Sequence, residues 1–185
     1  MRVLILGGTA FLGIHVTDAL RSGGHEVTHF NRGRKAPLDD VAAVRGDRTV
    51  GFHGLEAERF DAVVDTSGYL PADVARSTEF FRERTQRYVF VSSVSVFDSS
   101  AERIVESSPM PPLPSGASES DVTAETYGPL KAACERIAVE RFGPRATIVR
   151  PGLIAGPHDP TDRFTYWPMR LLRGGEVLAP GEPER

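Results

Sequence analysis

Apolar residues in this chain fall into short unbroken runs, separated by stretches in which they recur every three or four positions. Arg2 to Leu6 is the first run; Gly7 and Gly8 break it, as happens where a buried strand enters a tight turn. In Phe11 to Ser22, Leu12, Val16, Ala19 and Leu20 stand at helical spacing, and Gly23-Gly24 stops the helix. Glu26 to Asn31 reads as a second strand and Ala42 to Arg45 as a weaker third, with the basic turn Asn31-Arg32-Gly33-Arg34-Lys35 between them. Phe60 to Asp65 and Arg87 to Ser92 are further strands, and Pro71 to Arg84 is the helix that joins them. Tyr127 to Phe142 carries Leu130, Ala133, Cys134, Ile137 and Ala138 on one stripe and ends at Gly143-Pro144, ahead of a last strand over Ala146 to Arg150. Strands alternating with helices predict an α/β fold, a doubly wound parallel sheet with helices on both faces.

Two segments break this rhythm. Asp98 to Thr123 is polar and proline-rich, too long for a plain connection and suited to a lid or active-site loop. Pro151 to Pro160 follows a buried strand directly. Both leave the carboxyl ends of strands, where open parallel sheets bind ligands.

Composition narrows the class. The 185 residues, 40% of them hydrophobic and 25% charged, have ordinary globular composition, which excludes disorder along the whole chain. A net charge of -3 gives no general attraction to nucleic acid or an anionic membrane. Cys134 is the only cysteine, so neither an intramolecular disulfide nor a thiolate metal cluster can form within the chain. His15, His25, His29, His53 and His158 lack metal-ligand spacing and read as surface or packing residues. With no apolar run near the roughly 20 residues of a membrane span and no secretory pattern at the N-terminus, a cytoplasmic location is expected.

The turn Gly7-Gly8-Thr9-Ala10-Phe11-Leu12-Gly13 lies between the first strand and the first helix. Gly7 permits the tight turn and Gly13 a close helix–sheet contact, while the helix N-terminus aims unpaired N–H groups at a pyrophosphate. This is the phosphate-binding turn of a Rossmann-like fold, with Ala10 at the usual middle glycine. An acidic residue at the end of the second strand selects NAD by repelling a 2′-phosphate. Asn31 stands there instead, beside Arg32, Arg34 and Lys35, so NADP is favoured and NAD stays open.

Tyr127 and Lys131 lie four residues apart, on one face of the expected helix. Lys35 and Lys131 are the only lysines, so chance pairing at this spacing is improbable. A tyrosine phenol ionises near pH 10, and a neighbouring ammonium favours its ionised form, which suits it to proton transfer with a hydroxyl or carbonyl. Val91 to Phe97 (Val-Ser-Ser-Val-Ser-Val-Phe) offers serine hydroxyls at the same edge of the sheet.

With the glycine turn, the serine-rich strand end, the Tyr-x-x-x-Lys helix and Arg150-Pro151-Gly152 in this order, the chain resembles the short-chain dehydrogenase/reductase superfamily, in its extended branch of NAD-dependent epimerases and dehydratases. Phe30-Asn31-Arg32-Gly33 and Asp65-Thr66-Ser67-Gly68-Tyr69 look most like bacterial relatives of the chloroplast stem-loop-binding proteins. The resemblance implies Tyr127 as general acid/base, Lys131 as its electrostatic partner and ribose anchor, and Ser93 as the catalytic hydroxyl. It implies Asp47, with Arg48 beside it, at the adenine, and Thr66, Ser67 and Gly68 under the ribose. The backbone from Pro151 through Leu153 to Ile154 then meets the nicotinamide amide. Val94 and Ser95 stand where dehydratases carry an acidic pair, which disfavours dehydration and leaves reduction, oxidation or epimerisation.

The expected function is therefore an NAD(P)-dependent oxidoreductase or epimerase acting on a hydroxyl or keto group of a small molecule such as a nucleotide sugar. The alternative on the same fold is a non-catalytic nucleotide- or RNA-binding protein; scattered arginines and mild acidity disfavour RNA. His158 and Asp159 are positioned to meet substrate, and Phe164, Tyr166 and Trp167 read as core or interface packing. Residues 1–155 form the expected dinucleotide domain and 156–185 the start of a substrate lobe, with a helix over Asp162 to Arg173 and a strand over Glu176 to Leu178. In the resembling family that lobe continues beyond Gly181 to Arg185, so exposed apolar surface and a homodimer are expected.

Overall fold

The structure, a computed structural model, describes residues 1–98 and 103–178. The last residues of the expected substrate lobe, 179–185, lie outside them. The chain divides into two units, Met1–Gly152 and Leu153–Arg185.

Six strands build the first unit: β1 (Arg2–Leu6), β2 (Glu26–Asn31), β3 (Ala42–Arg45), β4 (Phe60–Asp65), β5 (Thr85–Val91) and β6 (Ala146–Val149). They form one sheet in the order β3-β2-β1-β4-β5-β6, and every pairing is parallel. The order reverses between β1 and β4, the switch point where a doubly wound sheet opens a crevice at its carboxyl edge.

Alternation along β1 divides the core. Val3 and Ile5 face one side with Val27 and Val64, where Val16 and Leu20 of α1 (Leu12–Ser22) cover them. Leu4 and Leu6 face the other side, against Val74 and Phe81 of α2 (Pro71–Phe81) and Cys134, Ala138 and Phe142 of α3 (Ala124–Phe142). The fold is thus the expected Rossmann-like one, with helices on both faces.

Boundaries differ where side chains make the cap. α3 begins three residues earlier than the apolar stripe indicates, because Thr123 and Thr126 form a reciprocal capping box. Pro129 therefore sits beyond the first turn, with its missing N–H opposite the Glu125 carbonyl. Phe11 caps α1 rather than joining it, and β5 starts at Thr85, two residues before the expected strand. β6 ends at Val149, one residue before the expected end, and the Arg150 side chain beyond it pairs with Glu135 of α3 at 2.7 Å.

In the second unit α4 spans Tyr166–Leu172, shorter than the expected helix. Glu176 to Leu178 is not a strand, the Glu176 carbonyl instead accepting from Arg170. Trp167 stacks edge-on against Tyr166 and stays 44% exposed, so it is not a core residue of this unit. His158, Asp159, Asp162 and Phe164 line a cavity of about 450 Å³ within this unit, and His158 and Asp162 both have positive φ.

Candidate active site

The carboxyl ends of β1, β2 and β4 meet at the glycine turn. The Gly7 N–H donates to the Phe30 carbonyl (2.9 Å), which holds the turn against β2. A Cβ on Gly13 would lie 2.7 Å from the Gly8 Cα, so the first turn of α1 reaches the loop only because this position is glycine. Beneath the loop lies His29, fully buried, with Nε2 2.8 Å from Thr17 Oγ1; its ring is a packing residue, as expected. Phe11 caps α1 with φ 35° and no side-chain acceptor, and the first turn of the helix holds no acidic residue. Of the other turn residues, Ala10 is exposed and spends its carbonyl on the Gly13 N–H, while Thr9 and Leu12 are half-buried. A helix N-terminus left without its own anion matches a pyrophosphate.

The far end of the crevice is a narrow cleft of about 50 Å³ with Asn31, Arg32, Asp47 and Ser67 among its walls, beside a wider concavity framed by Arg32, Arg45 and Asp47. The Asn31 Oδ1 accepts from the Gly33 N–H at 2.8 Å and so shapes the basic turn itself. Hydrogen bonds from Thr49 hold the Asp47 carboxyl below the usual carboxylate range, and the charges of Arg32 and Arg34 add to this. Thr66 and Ser67 both donate to the Leu6 carbonyl at 3.0 Å, which brings the end of β4 against the glycine turn.

Arg48 departs from its expected place. It borders the cleft, but its guanidinium turns inward to Asp65, with contacts of 2.8 and 2.7 Å, and also reaches Ser67 and Ser77. Asp65 is fully buried and further accepts from Tyr88 Oη at 2.8 Å. Burial works against both charges, yet each outweighs that cost for the other. The Asp65 carboxyl lies below its ordinary range and the Arg48 guanidinium above its own. Arg48 is thus a structural cation at the wall of the cleft, with both terminal nitrogens bonded inward and only Nε, itself buried, without a partner. Its partner carries no sequence mark, since Arg48 lies in the turn after β3 and Asp65 is 17 residues away at the end of β4.

At the other side of the crevice, β5 runs into a 3₁₀ turn (Val94–Val96), capped by the Ser93 side chain, which accepts from the Ser95 N–H. Ser93 Oγ also donates to Ser95 Oγ at 3.0 Å. The first turns of α3 press onto this segment: a Cβ on Gly128 would fall 2.0 Å from the Ser95 carbonyl oxygen. Only glycine permits that approach, and its neighbour Tyr127 comes to the same edge as Ser93. Pro151 belongs to this edge too, its carbonyl accepting from the Val94 N–H at 3.0 Å. Leu153 falls in the second unit and is largely exposed.

Lys131 is more deeply set than a helix-surface residue. It is 3% exposed, and its Nζ donates to the Gly68 carbonyl at 2.8 Å and the Val91 carbonyl at 2.6 Å. The ammonium also lies 4.2 Å from the Phe90 ring centroid and 5.5 Å from that of Tyr69. Burial pulls its pKa down to about 8, although the Asp65 charge opposes the shift. Below pH 8 the folded and unfolded chains both hold this proton, and the full burial penalty is present. Between about 8 and the ordinary 10.5 the folded chain releases it first, so stability rises with pH through this window. The wild type should therefore stand lowest relative to Lys131→Met below pH 8 and gain on it by roughly 3 kcal/mol by pH 10.5 in paired denaturant titrations; a constant difference would contradict the buried ammonium.

Tyr69 stands beside Tyr127, the ring centroids 6.4 Å apart. The sequence marks it only through its place one residue after Gly68, at the carboxyl end of β4, where open parallel sheets put their ligand contacts.

A parallel doubly wound sheet, an uncapped glycine-turn helix and a Tyr-x-x-x-Lys helix facing a serine-bearing strand end define the short-chain dehydrogenase/reductase class. Within that class the chain belongs to the NAD dependent epimerase/dehydratase family, whose profile matches residues 3–185. It is 27% identical over 200 residues to the chloroplast stem-loop binding protein of 41 kDa b from Arabidopsis thaliana, covering 97% of this chain and 49% of that protein. It is 33% identical over 119 residues to 2'-dehydrokanamycin reductase from Streptomyces kanamyceticus, covering 61% of this chain and 34% of that enzyme. The chain thus spans half or less of the length of these relatives. The solved structure of MoeE5 in complex with UDP-glucose and NAD superimposes with a TM-score of 0.67 at 23% identity, covering 94% of this chain and 60% of that one.

Proposed function

We propose that the protein is an NADP(H)-favouring oxidoreductase or epimerase acting on a hydroxyl or carbonyl group of a sugar ring. The observation that carries this reading is the close approach of α3 to the end of β5 at Gly128, which sets Tyr127, Lys131 and Ser93 on one edge of the sheet. The substrate class draws support from the names of its relatives: the reductase acts on a dehydrokanamycin, and the MoeE5 structure holds UDP-glucose with NAD.

The residues present fit a dinucleotide. The uncapped start of α1 would take the pyrophosphate, Asp47 would hold the adenine, and the Thr66–Gly68 segment would support a ribose. When bound, the nicotinamide supplies or accepts the hydride. Tyr127 returns or removes the proton of the reacting oxygen, and Ser93 Oγ, once turned from Ser95, donates to that oxygen. Lys131, with two of its three N–H groups on carbonyls, keeps one donor for a ribose hydroxyl.

Asn31 carries no charge to repel a 2′-phosphate, and Arg32 and Arg45 frame the concavity beside it. A charge-assisted hydrogen bond contributes on the order of 1.5–3 kcal/mol, so NADPH should bind about 10- to 100-fold tighter than NADH. Separate fluorescence titrations with the two cofactors, on the wild type and on Arg32→Glu, check this. Arg32→Glu should invert the preference. Equal affinities would remove the NADP assignment, and binding of neither would remove the enzyme reading.

A further inference from the structure

We infer that Tyr69 is a substrate-positioning residue, an aromatic platform on which the sugar ring packs with its reacting oxygen beside Tyr127. The inference deepens the reading above and rests on it.

Tyr69 is half exposed, yet its backbone is firmly held. Gly68 before it is packed so closely among Phe90, Val74 and Asp65 that a Cβ there would lie 2.7, 2.8 and 3.0 Å from them. The residue after it, Leu70, is the extended N-cap of α2, with Pro71 opening the helix. A large aromatic side chain is thus fixed by rigid neighbours on both sides and leaves 50% of its area to solvent. The Lys131 Nζ lies over the ring at 5.5 Å, and the Tyr127 ring lies 6.4 Å away at an interplanar angle of 42°. The ring is therefore bounded by Tyr127, the residue assigned to proton transfer, and by Lys131, its electrostatic partner.

That geometry suits a sugar. A pyranose presents a face of C–H groups and a rim of hydroxyls. The face buries apolar area against an aromatic ring, and the rim stays free for hydrogen bonds. A sugar stacked on Tyr69 carries its rim to Tyr127, about one ring width away. The contact needs an aromatic ring and not its hydroxyl, so Phe should serve where Ala does not.

Calorimetric titration of the NADPH-loaded protein with UDP-glucose, and separately with UDP, tests the platform in the wild type, Tyr69→Phe and Tyr69→Ala. The expected result is a UDP-glucose Kd raised about tenfold or more by Tyr69→Ala and held within about threefold by Tyr69→Phe, with the Kd for UDP and for NADPH unchanged in both. An unchanged UDP-glucose Kd in Tyr69→Ala overturns the inference. So does an equal loss for UDP-glucose and UDP, or a loss confined to NADPH, which would make Tyr69 merely a cover for Lys131. No heat with UDP-glucose on a wild type that binds NADPH also overturns the sugar platform. Failure of the underlying enzyme reading shows itself elsewhere, as absent cofactor binding or as turnover retained without the Tyr127 hydroxyl.

Discussion

Tyr127→Phe should lower turnover by about 10²- to 10⁴-fold while the cofactor Kd stays within about twofold of wild type, the range a positioned general acid/base contributes. The substitution removes one oxygen and nothing else. Tyr127 is only partly buried, so the ring keeps its packing and α3 keeps its capping box. Lys131 is held by the Gly68 and Val91 carbonyls, independently of the phenol, so the ribose contact assigned to it survives. A loss of kcat with KM nearly constant identifies a group acting in the transition state. The measurement is steady-state hydride transfer with NADPH on a panel of keto sugars, with cofactor affinity read by fluorescence. Turnover within a few-fold of wild type would remove Tyr127 from the chemistry, and a matching loss of cofactor affinity would recast it as a binding residue.

The second large effect concerns stability. Arg48→Met should cost about 3–5 kcal/mol, because it leaves Asp65 charged, fully buried and without its cation. For a chain of this size that is a fall in Tm of roughly 10 °C. The pH dependence carries the sign. In the wild type the Asp65 carboxyl is depressed in the fold. The pair's contribution is therefore complete above the unfolded carboxyl value and is lost as pH falls through the folded one. In Arg48→Met burial acts on Asp65 with only the hydrogen bonds from Tyr88 and Ser67 left to favour its charge, so its pKa rises, and the variant is at its worst near neutrality and closes on the wild type as the medium is acidified. Calorimetric melts of both proteins from pH 7 to pH 4 read this directly. A penalty that stays constant across that range would mean that Asp65 keeps another compensating partner. Arg48→Met with Asp65→Leu should recover most of the loss, since no charge is then left buried.

Much of the fold was legible because buried strands and amphipathic helices write their periods directly into the chain. β1 and β4 are short, mostly apolar runs within a parallel sheet covered on both faces, each followed by turn residues and too short for a helix of ordinary length. The glycine turn and the Tyr-x-x-x-Lys pair were legible for a similar reason: each is a local spacing that one turn or one helical step brings together. The start of α3 was not, because Thr123 and Thr126 act through side-chain bonds and leave no mark in the hydrophobic pattern.

What the sequence determined alone was the order of elements, the cofactor turn and the residue types along one sheet edge. All of these depend on neighbours within a few positions. The tertiary structure decided which of those residues are available to a ligand. Arg48, in the turn after β3, meets Asp65 at the end of β4; an ion pair between a turn and a non-adjacent strand depends on sheet order, which no local spacing encodes. Lys131 became a buried cation through carbonyls contributed by two different strand ends. Tyr69 joined Tyr127 through the packing of α3 against β5 and β6, at the close approach that Gly128 allows.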